Sequence, residues 1–595
     1  MRELTYPFDG ELILKKSKKL KRALLESRTD FLEKRIAVLG GSTTHDIIRI
    51  LELFLLEQGI RPVFYESEYA QYWQDAMFDN PLLSDFAPEL IFIHTSNRNI
   101  ANYPMPGDTK GQVDELFTEQ YEHFRVMWDK LADTYHCPVI QNNFEYPFYR
   151  LLGNQEAVYV QGRISFINRL NEAFYQYARE HESFFIHDIN YLSASYGLDR
   201  WSDPLYWHMY KYACCMQAIP DFAHNLSNII KSIFGKNKKA LALDLDNTLW
   251  SGIVGDDGPE NLEIGQETPM GQVYAEFQNY LKAQKDIGVM LTVNSKNEEE
   301  NALAGLNHPE GILKPEDFIL IKANWEPKSH NIAQIAQELA ILPDSLVFVD
   351  DNPAEREIVE MQIPGAAVPA VGTPEQYIRI LDHSGFFEVT KLSEDDRKRN
   401  EMYRANIERK KQQAQFGDYQ EYLRSLEMRG TIRPFEPLYT ARIAQLSNKS
   451  NQFNLTTRRY TQGEIENFAA DDAYITRYGK LVDRFGDNGV VSVVIGRRDE
   501  NQSILHIELW LMSCRVLKRD MEYAMMDSVV EACQACGIET IMGYYYPTAK
   551  NAMVKDFYGT MGFEKTEETD TGVTIWRFTV PADYALKNTV ITVEK

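Results

Sequence analysis

The run Lys239-Ala-Leu-Ala-Leu-Asp244-Leu-Asp246-Asn-Thr248-Leu-Trp250-Ser-Gly252 decides how the chain is read. Its apolar stretch predicts a buried strand that ends abruptly in two carboxylates, a hydroxyl and a glycine-bearing loop. Side chains at i and i+2 of a strand share a face, so Asp244 and Asp246 can converge on one substrate while Leu245 points into the core. A solvated turn after a core strand is the simpler alternative, because a short motif matches by chance often enough. Downstream, Ser345-Leu-Val-Phe-Val-Asp350-Asp351-Asn352-Pro353-Ala-Glu355-Arg356 is a second apolar strand tipped with acids, which weighs against it. Hard Mg2+ takes such oxygen ligands beside a nucleophile.

Between the two lies a third strand pattern, Gly288-Val-Met-Leu-Thr-Val-Asn-Ser295-Lys296-Asn297, whose tip carries a hydroxyl, an amine and an amide. Then Ala323-Asn324-Trp325-Glu-Pro-Lys328-Ser-His-Asn331-Ile begins a helical pattern. In this order the four stretches resemble motifs I, II, III and IV of the haloacid-dehalogenase superfamily. In their wording, LDLDNTLW, GIVGDDG, SKN and VFVDDNPAER, they are similar to FkbH-like proteins. The resemblance implies that Asp244 attacks phosphorus to form an aspartyl-phosphate and that Asp246 serves as general acid, then base. It further implies that Ser295 binds the phosphoryl group, that Lys328 balances charge, and that Mg2+ is held by Asp244, Asp246, Asp350 and Asp351. Thr248, Lys296, Asn297, Asn352 and Arg356 are then the expected substrate-binding residues.

At 595 residues the chain should hold about three to five domains of roughly 150 residues each. With 44% hydrophobic and 12% aromatic residues it can bury cores throughout. The net charge of -24, from 63 basic against 87 acidic residues, repels polyphosphate backbones, so nucleic acid is not an expected partner. No apolar segment approaches the roughly 18 residues of a membrane span, and Met1 to Arg28 lacks a signal-peptide core. A cytoplasmic protein without membrane attachment is expected. Six cysteines in this length do not make a disulfide scaffold. Cys533-Gln-Ala-Cys536 has metal spacing but sits in a helical pattern without a second ligand pair, so plain thiols are expected.

The fold expected is α/β with three domains: residues 1–235, 236–390 and 429–595, with a charged helical linker over 391–428. In the first, Arg35-Ile-Ala-Val-Leu-Gly40-Gly41-Ser42 and four later strand patterns alternate with helices, giving a doubly wound parallel sheet. This resembles an SGNH hydrolase, with Ser42 as nucleophile. That family's closing Asp-x-x-His is matched only loosely by Asp203-Pro-Leu-Tyr-Trp-His208, so the triad the resemblance would imply is Ser42, His208 and Asp203, and a degenerate or substrate-binding domain is expected ahead of a working esterase. The middle domain is a Rossmann-like phosphatase fold without a large cap, since the segment joining its first two motifs is short and offers only the Ser251 to Gly265 loop as cover.

The last domain reads as α+β and resembles a GNAT acetyltransferase, down to its closing Phe557-Tyr558-Gly-Thr-Met-Gly562-Phe563. In that family a Gln/Arg-x-x-Gly-x-Gly/Ala loop wraps the CoA pyrophosphate with backbone amides. Here the loop is Arg515-Val-Leu-Lys518-Arg519-Asp520, with both small positions filled and one of them acidic, so acetyl-CoA is not an expected cofactor.

The sequence thus supports a Mg2+-dependent phosphohydrolase acting on a small phosphorylated metabolite. FkbH-like proteins are also associated with moving a glyceryl group from an acyl phosphate to an acyl carrier protein, with a cysteine often just before the motif II serine. Here that position is Asn294, and Cys514 is a distant substitute. A non-catalytic scaffold that binds a carrier protein is the third reading, opposed by the crowding of several like charges at one point.

Overall fold

Short apolar runs flanked by helices assemble three sheets in the computed structural model, which describes residues 1–499, 503–548 and 550–594. The architecture is mixed α/β. The chain divides into two units, Met1–Ile233 with Glu388–Lys391, and Phe234–Phe387 with Leu392–Lys595.

In the first unit, β1 (Leu32–Gly40), β2 (Ile60–Glu66), β3 (Leu90–His94), β4 (Val139–Asn142) and β5 (Phe184–His187) form a parallel sheet in the order β2-β1-β3-β4-β5. Every residue of β3 is buried, as a central parallel strand requires. Trp128, Phe124 and Phe174 pack against Ile91 and Ile93 in the core.

The second unit opens with β6 (Ala240–Leu243), β7 (Met290–Ser295), β8 (Leu320–Ala323) and β9 (Leu346–Val349), all parallel in the order β8-β7-β6-β9. Strands β6, β7 and β9 are wholly buried. Leu243 lies opposite Val349 on one side and Val293 on the other, so the acids following β6 and β9 leave the sheet side by side. The sequence pattern showed only a helix start near Lys328; β8 precedes it as a half-buried edge strand whose mixed composition carries little apolar signal.

Strands β10 (Arg429–Arg433), β11 (Phe453–Asn454), β12 (Tyr474–Asp483), β13 (Gly486–Asp499), β14 (Ile504–Met512), β15 (Thr540–Tyr545), β16 (Glu564–Glu568), β17 (Thr574–Thr579) and β18 (Thr592–Glu594) make the third, largely antiparallel sheet. Strands β14 and β15 are parallel and pair only over Ile504–His506 and Thr540–Met542. Beyond that they part, and the chain's own β11 enters the gap: Phe453 and Asn454 pair with Met512 and Leu511, while Leu455 accepts from Tyr546 N at 2.9 Å.

The linker helices Arg399–Gln413 and Tyr419–Ser425 pack into this unit through polar groups. Gly288 stands at φ +95° and a Cβ there would meet Asp396 O at 2.1 Å, so only glycine lets the linker sit against the loop before β7. Arg399 Nη1 donates to Gly288 O at 3.0 Å. Further along, Arg409 and Arg519 both donate to the fully buried Asp483, at 2.6 and 3.1 Å. One carboxylate thereby ties the linker to the third sheet. Removing it leaves two buried guanidinium groups without their anion, so Asp483→Ala should cost about 3–5 kcal/mol. Urea unfolding followed on the full chain would show this as an early transition; a loss below about 1 kcal/mol would contradict the tie.

Candidate active site

The sheet register sets the geometry. Asp244 N donates to Val349 O at 3.0 Å, which brings the first residue past β6 level with the first past β9. Asp244 and Asp350 are buried, and Lys328, the first residue of the helix Lys328–Glu338, places its ammonium 2.9 Å from Asp244 Oδ2 and 2.5 Å from Asp350 Oδ2. Oxygen atoms of Asp244, Asp350 and Asp351 lie within 4.8 Å of one another. Burial, and then the charge of Asp244, push the Asp350 carboxyl up to about 6 and the Asp351 carboxyl above its ordinary range. The charges on Asp244 and Asp350 outweigh burial at Lys328 and hold its ammonium above the usual range.

Three carboxylates against one ammonium leave a surplus of negative charge that a divalent cation would cancel. An all-oxygen donor set fits a hard ion such as Mg2+. Asp246, expected as a fourth ligand, is not part of this cluster. Its Oδ1 accepts from Trp250 Nε1 and Val254 N, both at 3.0 Å, and its Oδ2 from Asn297 Nδ2 at 2.8 Å. These donors turn the carboxylate toward the loop after β6, and burial raises its pKa.

Other expected residues fall into two groups. Ser295 is buried beside the cluster's strand tip at the end of β7, and its hydroxyl makes no hydrogen bond among the described residues. Asn297 reaches the site through Asp246. Thr248, Asn352, Arg356 and Lys296, expected on substrate, are committed elsewhere. Thr248 is fully buried and accepts from Asp351 N at 3.3 Å. Asn352 caps the helix Pro353–Gln362 by accepting from Ala354 N. Arg356 Nη1 donates to the carbonyls of Asp350 and Asp351 at 2.6 and 2.7 Å, and Lys296 pairs with Glu355 at 2.6 Å. The last three shape the β9 turn and its rim.

Sequence reasoning missed three supports. Tyr274 and Tyr377 both donate to Asn247 O, at 3.2 and 3.1 Å, and so hold the left-handed turn at Asn247 (φ +54°) that follows the two catalytic candidates. Both tyrosines lie far along the chain and carry no local signal. Asn294, fully buried, donates to Lys328 O at 3.0 Å and accepts from Asn331 Nδ2 at 3.1 Å, fixing the start of the helix that delivers the ammonium.

Residues 35–231 match a family model described as FkbH, N-terminal domain. A solved structure, the N-terminal part of the protein BF1531 from Bacteroides fragilis containing a phosphatase domain complexed with Mg, is 28% identical with a TM-score of 0.58, over 63% of this chain and 99% of that one. These matches support an FkbH-like protein. They also support a phosphatase of haloacid-dehalogenase type at the level of the family. Among partial likenesses is the ribosomal-protein-S18-alanine N-acetyltransferase from Escherichia coli, 12% identical over 27% of this chain and 98% of that one, TM-score 0.20. Another is Ard1 from Thermoplasma volcanium, 21% identical over 26% and 98%, TM-score 0.20. Comparison with curated proteins found no match.

The flanking candidate sites come apart. Ser42 follows β1 and is buried, its Oγ without a hydrogen-bond partner among the described residues. The expected triad is not assembled. Asp203 caps the helix Pro204–Tyr210, accepting from Leu205 N and Tyr206 N, and the exposed His208 lies five residues on, about 140° around that helix. The carboxylate therefore cannot orient the imidazole.

In the third sheet, Lys518 and Asp520 stand at φ +63° and +60°, a conformation that favours glycine. The loop keeps its backbone path without the small residues. Arg519 faces inward on Asp483, Asn406 and Arg515 O, and so is unavailable to a pyrophosphate. Tyr419 OH caps Lys518 O.

Mg2+ should raise the thermal midpoint of the chelator-treated protein by a few degrees at about 100-fold excess over its dissociation constant. Asp350→Asn should remove most of that increment, and calorimetric scans with and without Mg2+ measure it. An undiminished increment in the variant would exclude Asp350 as a ligand.

Proposed function

We propose that the chain is a Mg2+-dependent phosphohydrolase that works through an aspartyl-phosphate on a small phosphorylated metabolite. The observation that carries this reading is the division among the acids: Asp244 and Asp350 share Lys328 within a three-carboxylate cluster, while Asp246 is held apart by Trp250, Val254 N and Asn297. An ionised nucleophile and a protonatable acid are what phosphoryl transfer to a carboxylate requires.

In this mechanism a carboxylate oxygen of Asp244 bonds to phosphorus while the bond to the leaving oxygen breaks. Asp246 passes its proton to that oxygen, then takes one from the water that attacks phosphorus and releases phosphate from Asp244. Lys328 holds the nucleophile in place through its ion pair, and Ser295 donates to a phosphoryl oxygen. When bound by Asp244, Asp350 and Asp351, Mg2+ supplies charge neutralisation at the phosphoryl oxygens. The loop over Ser251 to Gly265 touches the acid through Val254 N and leaves the mouth without a folded cap.

Acyl transfer to a carrier protein is less well supported. Asn294, where a thiol would stand, is engaged under Lys328, and Cys514 lines a cavity with Lys239, which lies at the opposite end of β6 from Asp244. A carrier-binding scaffold does not account for the crowded acids. Nor is acetyl-CoA a cofactor in this reading, because β11 fills the gap between β14 and β15 and Asp520 stands in the loop.

Asp244→Asn should abolish phosphate release from phosphometabolites in Mg2+, and Asp246→Asn should slow it about 10^2 to 10^4-fold while substrate still binds. Wild-type turnover by Asp244→Asn would refute the mechanism. Calorimetry should show no acetyl-CoA binding at low micromolar concentration; tight binding would make the third sheet a working acetyltransferase.

A further inference from the structure

A cavity of about 110 Å³ lies in the second unit between the N-terminal end of β6, the linker and the third sheet. At roughly 10–15 Å³ for each water-sized centre, it holds a tetrahedral ion with several solvent molecules. Lys239, Arg399, Arg442, Lys449 and Arg515 all line it, and among the described residues Asp396 is the one carboxylate in its wall. In a chain of net charge -24 such a concentration of cations needs a cause.

Local pairing does not supply it. Asp396 is shared by Arg399 and Lys449, the latter at 3.2 Å, and it also accepts from Ser393 and Gln445. Among the described residues the side chain of Arg515 hydrogen-bonds only neutral groups, Ser513 Oγ at 3.1 Å and Met402 Sδ. Lys239 makes backbone hydrogen bonds, but its ammonium has no hydrogen bond or ion pair among the described residues. Burial, with Arg399 and Lys550 nearby, pulls that ammonium below the usual lysine range against the opposing charge of Asp344, which is itself ion-paired to Lys550. Desolvated like charges held together without an anion are costly, and planar guanidinium groups grip oxyanions in pairs of hydrogen bonds.

We propose that this cavity binds an oxyanion, either inorganic phosphate or the phosphate of a larger organic molecule, with Lys239 and Arg515 as its principal donors. The site is separate from the acid cluster. Lys239 and Asp244 are at opposite ends of β6, about 16 Å apart along the strand.

The test is calorimetric titration of the full chain with inorganic phosphate in EDTA at matched ionic strength, where the metal-free acid cluster repels the ion. One saturable site is expected in the wild type, weakened about tenfold or more in Lys239→Met and in Arg515→Gln, each removing a charge-assisted hydrogen bond. Two variants guard against one failing to fold. Glycerol phosphate is the second arm: tighter binding of the ester than of the free ion assigns the source to a phosphorylated organic ligand, and the reverse to inorganic phosphate. Peptide-resolved alkylation gives an independent reading on the unmodified chain, because Cys514 lines the cavity while Cys536 is exposed elsewhere. Phosphate should slow labelling of Cys514 and leave Cys536 unchanged. No saturable binding in the wild type, or equal affinity in both variants, would overturn the proposal.

Discussion

The ammonium of Lys328 between Asp244 and Asp350 is the contact on which the second unit's chemistry depends. Two buried carboxylates at this separation repel each other by an amount on the order of 4 kcal/mol at 4 Å and an effective dielectric near 20. The lysine turns that repulsion into a bridge. Because Lys328 begins its helix, it is held by the helix start itself, and Asn294 fixes the carbonyl there from the neighbouring strand. The β6–β9 register supplies the rest by bringing the two acids level as they leave the sheet.

From this constraint follows a separation of duties among the four acids at the tips of two adjacent strands. Asp244, Asp350 and Asp351 remain together as an oxygen cluster, whereas Asp246 is drawn off by Trp250, Val254 and Asn297. The Asn247 turn that follows both acids is pinned by Tyr274 and Tyr377. The other end of β6 has the opposite electrostatic character. There lysine and arginine gather around one aspartate, so a single short strand joins an anionic site to a cationic one.

Much of this was legible in the chain because the strand tips carry their chemistry within a few residues of an apolar run. Asp244, Lys328 and Asp350 come together at neighbouring strand tips, and Ser295 ends the strand beside them. What remained hidden was the orientation of side chains beyond the tips. Thr248, Asn352 and Arg356 look like substrate ligands in sequence, yet each satisfies a backbone group that the tight turns would otherwise leave unpaired. Asp203 and His208 show the same limit: proximity in sequence gave no warning that a helix cap would claim the carboxylate. The third sheet adds a different lesson, since β11 is only two residues long and its place between β14 and β15 depends on pairings distant in sequence.

The measurement that most directly tests the account is a rapid acid quench of the enzyme during turnover of a radiolabelled phosphoester, followed by peptide mapping of the protein-bound phosphate. The account places the label on the peptide containing Asp244, as an acid-stable, hydroxylamine-labile acyl phosphate, with more of it trapped in Asp246→Asn if hydrolysis of the intermediate slows more than its formation. Label on another residue, or turnover with no protein-bound phosphate under conditions that trap an acyl phosphate, would contradict it.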